Sequence, residues 1–384
     1  MRLPVTLTLG LVAGGMFAPS ARAIEVVQVA DADALSAVLL RPTGGIDLSS
    51  VTAALAGHYI IDGRDNTNDG AIATFSSTGT FTNQSKTYGI GAGIILSTGD
   101  VASYGDGENR FQSLTTNYAL KTKSTPAVPA DPLNVNPGAM GVLATEAQDT
   151  LLDPLDDNNP QQPADFRHYD VTQLDIRFDM KPDYDAVYIN VVFGSEEFPE
   201  FVGSRFVDAF GVYVNGVNRA LVSADPGQPA LPININHASM LINPGTELDG
   251  ILGSGQFGQP LVHTFAALVD PTDNLVTMII GDTEDGQWDA TVYLAELTGY
   301  KRGDLNGDGL LTVEDLQPIR LATTDLAQFR QQYPGIHPVV ADMNMDGLLD
   351  ATDVAILEAI IPEPGTMALL AGAGLLALGR RRRG

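Results

Sequence analysis

Between Val171 and Met180 the apolar residues Leu174, Ile176, Phe178 and Met180 alternate with Asp175, Arg177 and Asp179. A two-residue period sends successive side chains to opposite faces, so this segment predicts a strand with one buried face. Val187, Ile189, Val191 and Phe193 repeat the pattern. Gly93-Ile94-Ile95-Leu96-Ser97 is a continuous apolar run that leads into Thr98-Gly99-Asp100, which predicts a buried strand ending in a turn. Further strands are predicted at Ala209–Val214, Leu261–Leu268, Leu275–Ile280 and Thr291–Leu297, with Asn215-Gly216 as a hairpin turn. Helical spacing is confined to Asp31–Leu40, Val142–Leu152 and a few segments near the C-terminus, among them Asp325–Tyr333. No helical periods link the strands, as a parallel α/β fold would need. The pattern predicts a mainly β chain, a sandwich or jelly-roll, followed by a small α-helical unit.

Prolines at 126, 129, 132, 137, 154, 160 and 163 have no period, so residues 116–162 read as a long irregular surface excursion. At the start, Met1-Arg2, an apolar run from Leu3 to Phe17 and Ala21-Arg22-Ala23 have the order of a secretory signal, with cleavage expected after Ala23. At the end, Pro362-Glu363-Pro364 precedes an apolar run to Gly379 and the arginines 380–383. That run is shorter than the ~20 residues of a comfortable membrane span.

Composition narrows the chemistry. The chain has no cysteine, which removes disulfides, thiolate metal sites and thiol nucleophiles. Its net charge of −26 argues against nucleic acid as a partner. Abundant carboxylates in an exported, cysteine-free chain suit hard divalent cations, which take oxygen ligands. The five histidines are dispersed, Gly253-Ser254-Gly255 lacks the outer glycines of a nucleophile elbow, and Gly89-x-Gly91-x-Gly93 lacks phosphate-loop spacing. No catalytic set stands out, and the chain reads as non-enzymatic.

The strongest chemistry is a duplication near the C-terminus. Asp304, Asn306, Asp308, Leu310, Thr312 and Asp315 occupy positions 1, 3, 5, 7, 9 and 12 of a twelve-residue loop. Asp342, Asn344, Asp346, Leu348, Asp350 and Asp353 repeat them 38 residues later. Calcium needs oxygens at those positions and a glycine at position 6 for the sharp turn. Glycines 309 and 347 supply it. An ordinary EF-hand ends in Glu at position 12; both loops here end in Asp and lack an entering helix. In these features residues 301–361 resemble type I dockerin repeats. That resemblance implies Ca2+ as cofactor and a cohesin-like partner, although positions 10 and 11, Val313-Glu314 and Ala351-Thr352, carry only Thr352 of the usual Ser/Thr pair.

The densest block of the body is Phe193-Gly194-Ser195-Glu196-Glu197-Phe198-Pro199-Glu200-Phe201, followed by Asp208-Ala209-Phe210-Gly211 and, later, Ile280-Gly281-Asp282-Thr283-Glu284-Asp285-Gly286 and Asp289-Ala290-Thr291. With the segment 93–100 these blocks resemble the choice-of-anchor L domain, over residues 24–300. The resemblance implies an extracellular β-rich domain without an assigned activity. Glu196, Glu197, Asp208, Asp282, Asp285 and Asp289 have the composition of a second oxygen-ligand site, of a facing carboxylate pair for glycoside hydrolysis, or of turn-capping residues. The tail 362–384 resembles the PEP-CTERM sorting signal. That likeness implies an exosortase-type peptidase as partner and a mature chain in the cell envelope or extracellular matrix, transiently anchored by its tail. The β domain is then the displayed part, with an extracellular polysaccharide among its expected ligands.

Overall fold

The computed structural model describes residues 25–29, 31–56, 58–61, 64–67, 72–76, 81–83, 86–88, 90–98, 143–156, 167–224, 228–242, 250–284 and 290–361. The signal segment, the sorting tail, Asp285, Asp289 and most of the proline-rich excursion lie outside the described residues.

Strand β1 (Glu25–Gln28) and helix α1 (Ala32–Leu39) come first, then β2 (Ile46–Ala56), β3 (His58–Ile61), β4 (Arg64–Thr67), β5 (Ile72–Ser76), β6 (Phe81–Asn83), β7 (Lys86–Tyr88) and β8 (Gly93–Ser97). Helix α2 (Glu146–Leu152) leads to β9 (His168–Met180), β10 (Ala186–Ser195), β11 (Ala209–Val214), β12 (Val217–Asn218) and β13 (Leu221–Val222). The short strands β14 (Leu231–Asn234), β15 (Met240–Ile242) and β16 (Gly250–Leu252) precede β17 (His263–Leu268), β18 (Asn274–Thr283) and β19 (Ala290–Tyr300). Three helices end the chain: α3 (Leu316–Thr324), α4 (Leu326–Gln332) and α5 (Ala351–Ile360).

Among the described residues β3 pairs with β4 and β6 with β7 in separate hairpins, while the other strands make two large antiparallel sheets. One runs β1-β5-β8-β19-β10-β16-β15, with β17 also paired to β10; the other runs β13-β14-β11-β18-β9-β2, with β12 paired to β11. The apolar positions of the alternating strands converge between them. Leu174, Ile176 and Phe178 of β9 share one buried cluster with Val187, Ile189, Val191 and Phe193 of β10, together with Phe210, Met278 and Leu294. The long strand β2 departs from expectation, because no strand was read before Tyr59. Its sequence, rich in Ser, Thr and Ala, carries a register shift against β9 between Asp47 and Thr52, which breaks the two-residue period that betrays a strand.

The outer faces are covered as well. On the β9–β11–β18 sheet, Leu152 and Leu155 pack on Val171, Ala209, Tyr213 and Ile279. Helix α2, predicted from its spacing, is fixed by a capping box: Gln148 N–H donates to Thr145 Oγ1 at 3.3 Å and Thr145 N–H to Gln148 Oε1 at 3.0 Å. On the other sheet, every residue of β10 is buried, and on its second face Ala186 and Tyr188 meet the C-terminal helices. Ala186, Tyr188, Phe257 and Tyr300 share a cluster with Leu305, Ile319, Phe329, Val340 and Leu357. Pro318 is the third residue of α3, within the first turn, where a missing N–H breaks no helical bond.

Phe329 is wholly buried in this shared cluster. Phe329→Ala is expected to cost about 3–5 kcal/mol, the range for a large buried aromatic. Because the cluster joins helices to sheet, denaturant unfolding followed by both circular dichroism and tyrosine fluorescence should show one transition that moves as a whole. A separate early transition that alone responds to the substitution would show the helical unit to be energetically independent.

Candidate metal centre

The two C-terminal Asp loops have the same internal architecture. The position-1 carboxylate gathers backbone amides: Gly307 and Asp308 N–H donate to Asp304 Oδ1 at 2.9 and 3.1 Å, and Gly309 N–H to Oδ2 at 2.8 Å. In the second loop, Asp346 N–H donates to Asp342 Oδ1 at 3.2 Å and Gly347 N–H to Oδ2 at 2.8 Å. The position-12 carboxylate closes each loop. Asp315 accepts from Leu305 N–H (2.9 Å) and Thr312 N–H (2.9 Å), and Asp353 accepts from Met343 N–H (2.8 Å) and Asp350 N–H (2.9 Å). Between them, position 3 supports position 5: Asn306 Oδ1 and Asn344 Oδ1 accept from the amides of Asp308 (2.9 Å) and Asp346 (3.2 Å).

The backbones match too. Positions 4 and 6 are left-handed in both loops, with φ +75° and +81° at Gly307 and Gly309, and +60° and +79° at Met345 and Gly347. Glycine adopts this conformation freely, whereas Met345 bears a Cβ penalty of roughly 1–2 kcal/mol. Strain of this kind persists where the surroundings over-determine the turn. Asp315, Asp342 and Asp353 are buried while Asp308, Asn344, Asp346 and Asp350 face solvent, so each loop has a deep floor and an open rim.

Burial first, and like charge after it, raises the carboxyl pKa values in both loops. Burial, followed by the charges of Asp353 and Asp346, pushes the Asp342 carboxyl up to about 7. Burial likewise raises Asp315 and Asp353. Carboxylates so arranged are destabilised as anions until a cation joins them. The donor set of side-chain oxygens at positions 1, 3 and 5, a carbonyl at position 7 and a carboxylate at position 12 fits Ca2+ better than softer metals.

The acidic blocks of the body meet elsewhere. Ser195 at the end of β10 pairs with Ala290, and Ala209 pairs with Gly281, so Glu196, Glu197, Asp208 and Asp282 all lie at one end of the two sheets. None is more than 2% exposed. Ser195 Oγ donates to Asp208 Oδ2 at 2.5 Å and accepts from Glu197 N–H at 3.0 Å, which ties the first three together. Glycoside hydrolysis needs carboxylates that flank a sugar, and these four are closed to one. Asp285 and Asp289, read as members of the same group, lie outside the described residues.

A third cluster was not visible in the sequence. The ring of His168 is fully buried, with Nδ1 2.9 Å from Asp149 Oδ1 and Nε2 3.2 Å from Asp156 Oδ2. Thr283 Oγ1 also donates to Asp156 Oδ2, at 2.9 Å. Asp149, Asp153 and His168 offer three ligand atoms within 4.8 Å of one another. Both ring nitrogens nevertheless face carboxylates at hydrogen-bonding distance, which favours a doubly protonated imidazolium, and that form cannot bind metal. The cluster is an ionic latch that holds α2 and the following turn on β9 and β18. A lone His beside a proline-rich excursion gives no sequence signal for it.

Comparison with known proteins follows this geometry. A family model described as the choice-of-anchor L domain matches residues 51–244, just over half the chain, and a model of the PEP-CTERM protein-sorting motif matches residues 361–383. The first match stops before β18 and β19, although these strands lie inside the two sheets. No curated protein matches the chain. Among solved structures, a β-glucosidase from Kluyveromyces marxianus aligns at 13% identity and a TM-score of 0.17, over 43% of this chain and 14% of its own length. The chain thus spans a small part of that enzyme, and so low a score carries no argument about either fold or activity.

The latch has a pH signature. Burial lowers the His168 pKa, but hydrogen bonds and charges from Asp156 and Asp149 outweigh it, and the net value is raised above 6.5. Asp156 is raised as well, chiefly by burial. A raised pKa means that the folded chain holds the proton more tightly, so this stabilisation is complete below about 6.5 and is lost as pH climbs through the raised His168 value. Melting temperature should therefore fall as pH increases from 6.5, and His168→Gln should flatten that dependence. An identical slope in the variant would assign the effect elsewhere.

Proposed function

The chain belongs to the choice-of-anchor L domain family and carries a PEP-CTERM sorting motif, and from that premise we propose a non-enzymatic surface or matrix protein whose paired C-terminal loops bind calcium. Export and attachment at the cell surface follow from the two matches, and the sorting motif implies processing by an exosortase at the C-terminus. Calcium is the cofactor of this reading, and its ligands are Asp304, Asn306, Asp308, Leu310, Thr312 and Asp315 in one loop and Asp342, Asn344, Asp346, Leu348, Asp350 and Asp353 in the other.

One observation carries it. The two repeats, 38 residues apart, adopt the same left-handed turns at positions 4 and 6, at the cost of strain at Met345, and present the same oxygen set. A polar turn has no reason to repeat that detail. The dockerin-like character of residues 301–361 belongs to this reading, with one change of emphasis. The unit packs its apolar side into the sheet through Tyr188, Phe257 and Tyr300, which supports a fixed structural staple over a freely docking adaptor. A cation bound here would neutralise Asp342 and Asp353 beside the shared cluster and so stabilise the whole chain.

Calcium should raise the melting temperature of residues 24–361. Linkage gives about 2.7 kcal/mol per site when free calcium is a hundredfold above Kd. The double variant Asp304→Ala/Asp342→Ala should lose the increment. Calorimetric melts that coincide in calcium and in chelator would end the calcium reading.

A further inference from the structure

The sheet and the C-terminal helices leave a cleft of about 600 Å³ between them. Its walls hold the rings of Tyr184, Tyr188, Tyr333 and His337 and the charged groups Arg41, Glu296, Lys301, Asp304 and Arg330. The cleft is built rather than incidental. A Cβ on Gly45 would lie 2.1 Å from Tyr184 Cδ1, so only glycine lets that ring lie against the chain. Gly45 N–H also donates to Gly299 O at 2.7 Å, and a Cβ on Gly299 would meet the Gly45 backbone at 2.7–2.8 Å. Two glycines therefore hold the 41–45 segment tight along the end of β19, and the aromatic wall stands on that contact. Tyr188 in turn stacks on His337 with 4.6 Å between ring centroids.

Its polar groups are underused. Tyr300, 5% exposed, lines the cleft, and its buried hydroxyl has no hydrogen-bond partner; the same holds for Thr298 Oγ1 at 9% exposure. Buried polar atoms nearly always have partners, so the two hydroxyls mark the wall behind the cleft as incompletely satisfied. Arg41 is ion-paired with Glu296, and Asn190 Nδ2 donates to Glu296 Oε2 at 3.0 Å. Arg330 differs. Its guanidinium donates to Phe257 O at 2.5 Å and has no ion-pair partner among the described residues. A half-buried guanidinium without an anion, in a chain of net charge −26, is an unusual expense. Three cations, Arg41, Lys301 and Arg330, line the cleft with two anions, Glu296 and Asp304; burial, then the charges of Arg330 and Arg41, drives the His337 pKa down to about 3.

We propose that this cleft binds a uronic-acid unit of an acidic polysaccharide, with the sugar carboxylate on Arg330 and a pyranose face against the tyrosine rings at its rim. Aromatic faces with a few convergent polar groups form the usual lining of a ligand pocket, and the planar guanidinium fork matches a carboxylate. The site is separate from the acidic end of the sheets and borders the first Asp loop through Asp304 and Gly307; variants at Arg330 and Tyr184 leave every proposed metal ligand in place, so failure of this site and failure of the calcium reading are distinguishable.

The test is calorimetric titration of the chain, in excess calcium, with trigalacturonic acid, its fully methyl-esterified form and triglutamate. Binding of the acid trimer alone is expected, weakened at least tenfold by Arg330→Gln and less by Arg330→Lys, which keeps the charge but not the fork. Tyr184→Ala, at the exposed rim, should weaken it several-fold with an unchanged melting temperature, which guards against loss through misfolding. Equal binding of the methyl ester or of triglutamate would overturn the sugar-acid assignment. No binding, or binding indifferent to Arg330 and Tyr184, would overturn the site.

Discussion

The centre of each sheet is occupied by a strand from the far end of the β region. Strand β19 lies between β8 and β10 in one sheet, and β18 lies between β9 and β11 in the other. Neither sheet is continuous before residues 274–300 arrive, and β8, β9, β10 and β11 wait on these pairings distant in sequence, which are costly in loop entropy. The rest of the architecture depends on this insertion. It brings the ends of β10, β18 and β19 to one pole, where Glu196, Glu197, Asp208 and Asp282 are buried. At the other end of β19, Tyr300 delivers the chain directly into the first Asp loop. The helices have no linker in which to swing away, so they cover β10 and close the cleft.

Much of this was legible in residue order. Gly93–Ser97 and Ala209–Val214 form strands with the predicted bounds, and β9, β10, β18 and β19 extend the predicted runs by a few residues. These strands declare themselves because one face meets the common core while the other meets solvent or a second cluster. The Asp loops were legible for a different reason: the same residue types recur at the same spacings 38 residues apart, and the two segments fold into the same left-handed turns.

What was hidden is what depends on tertiary position. Strand β2 lost its period to a register shift. The burial of all of β10 could not be foreseen from Val187, Ile189, Val191 and Phe193, because the second face is covered by helices more than a hundred residues later. His168 looked like a dispersed histidine, and only the fold sets Asp149 and Asp156 on either side of its ring. The cleft draws Arg41, Tyr184, Tyr300 and Arg330 from four separate stretches, none of which carries a motif.

The shared cluster of Tyr188, Phe257, Tyr300, Ile319 and Phe329 also bears on how such chains recombine. A domain can be exchanged between genes only where the cut exposes little apolar surface. A break near residue 301 would strip the β10 face on one fragment and the helices on the other, leaving both to aggregate. A break after residue 361 severs nothing in that cluster. A cut that leaves this cluster whole thus falls beyond the helices, after residue 361.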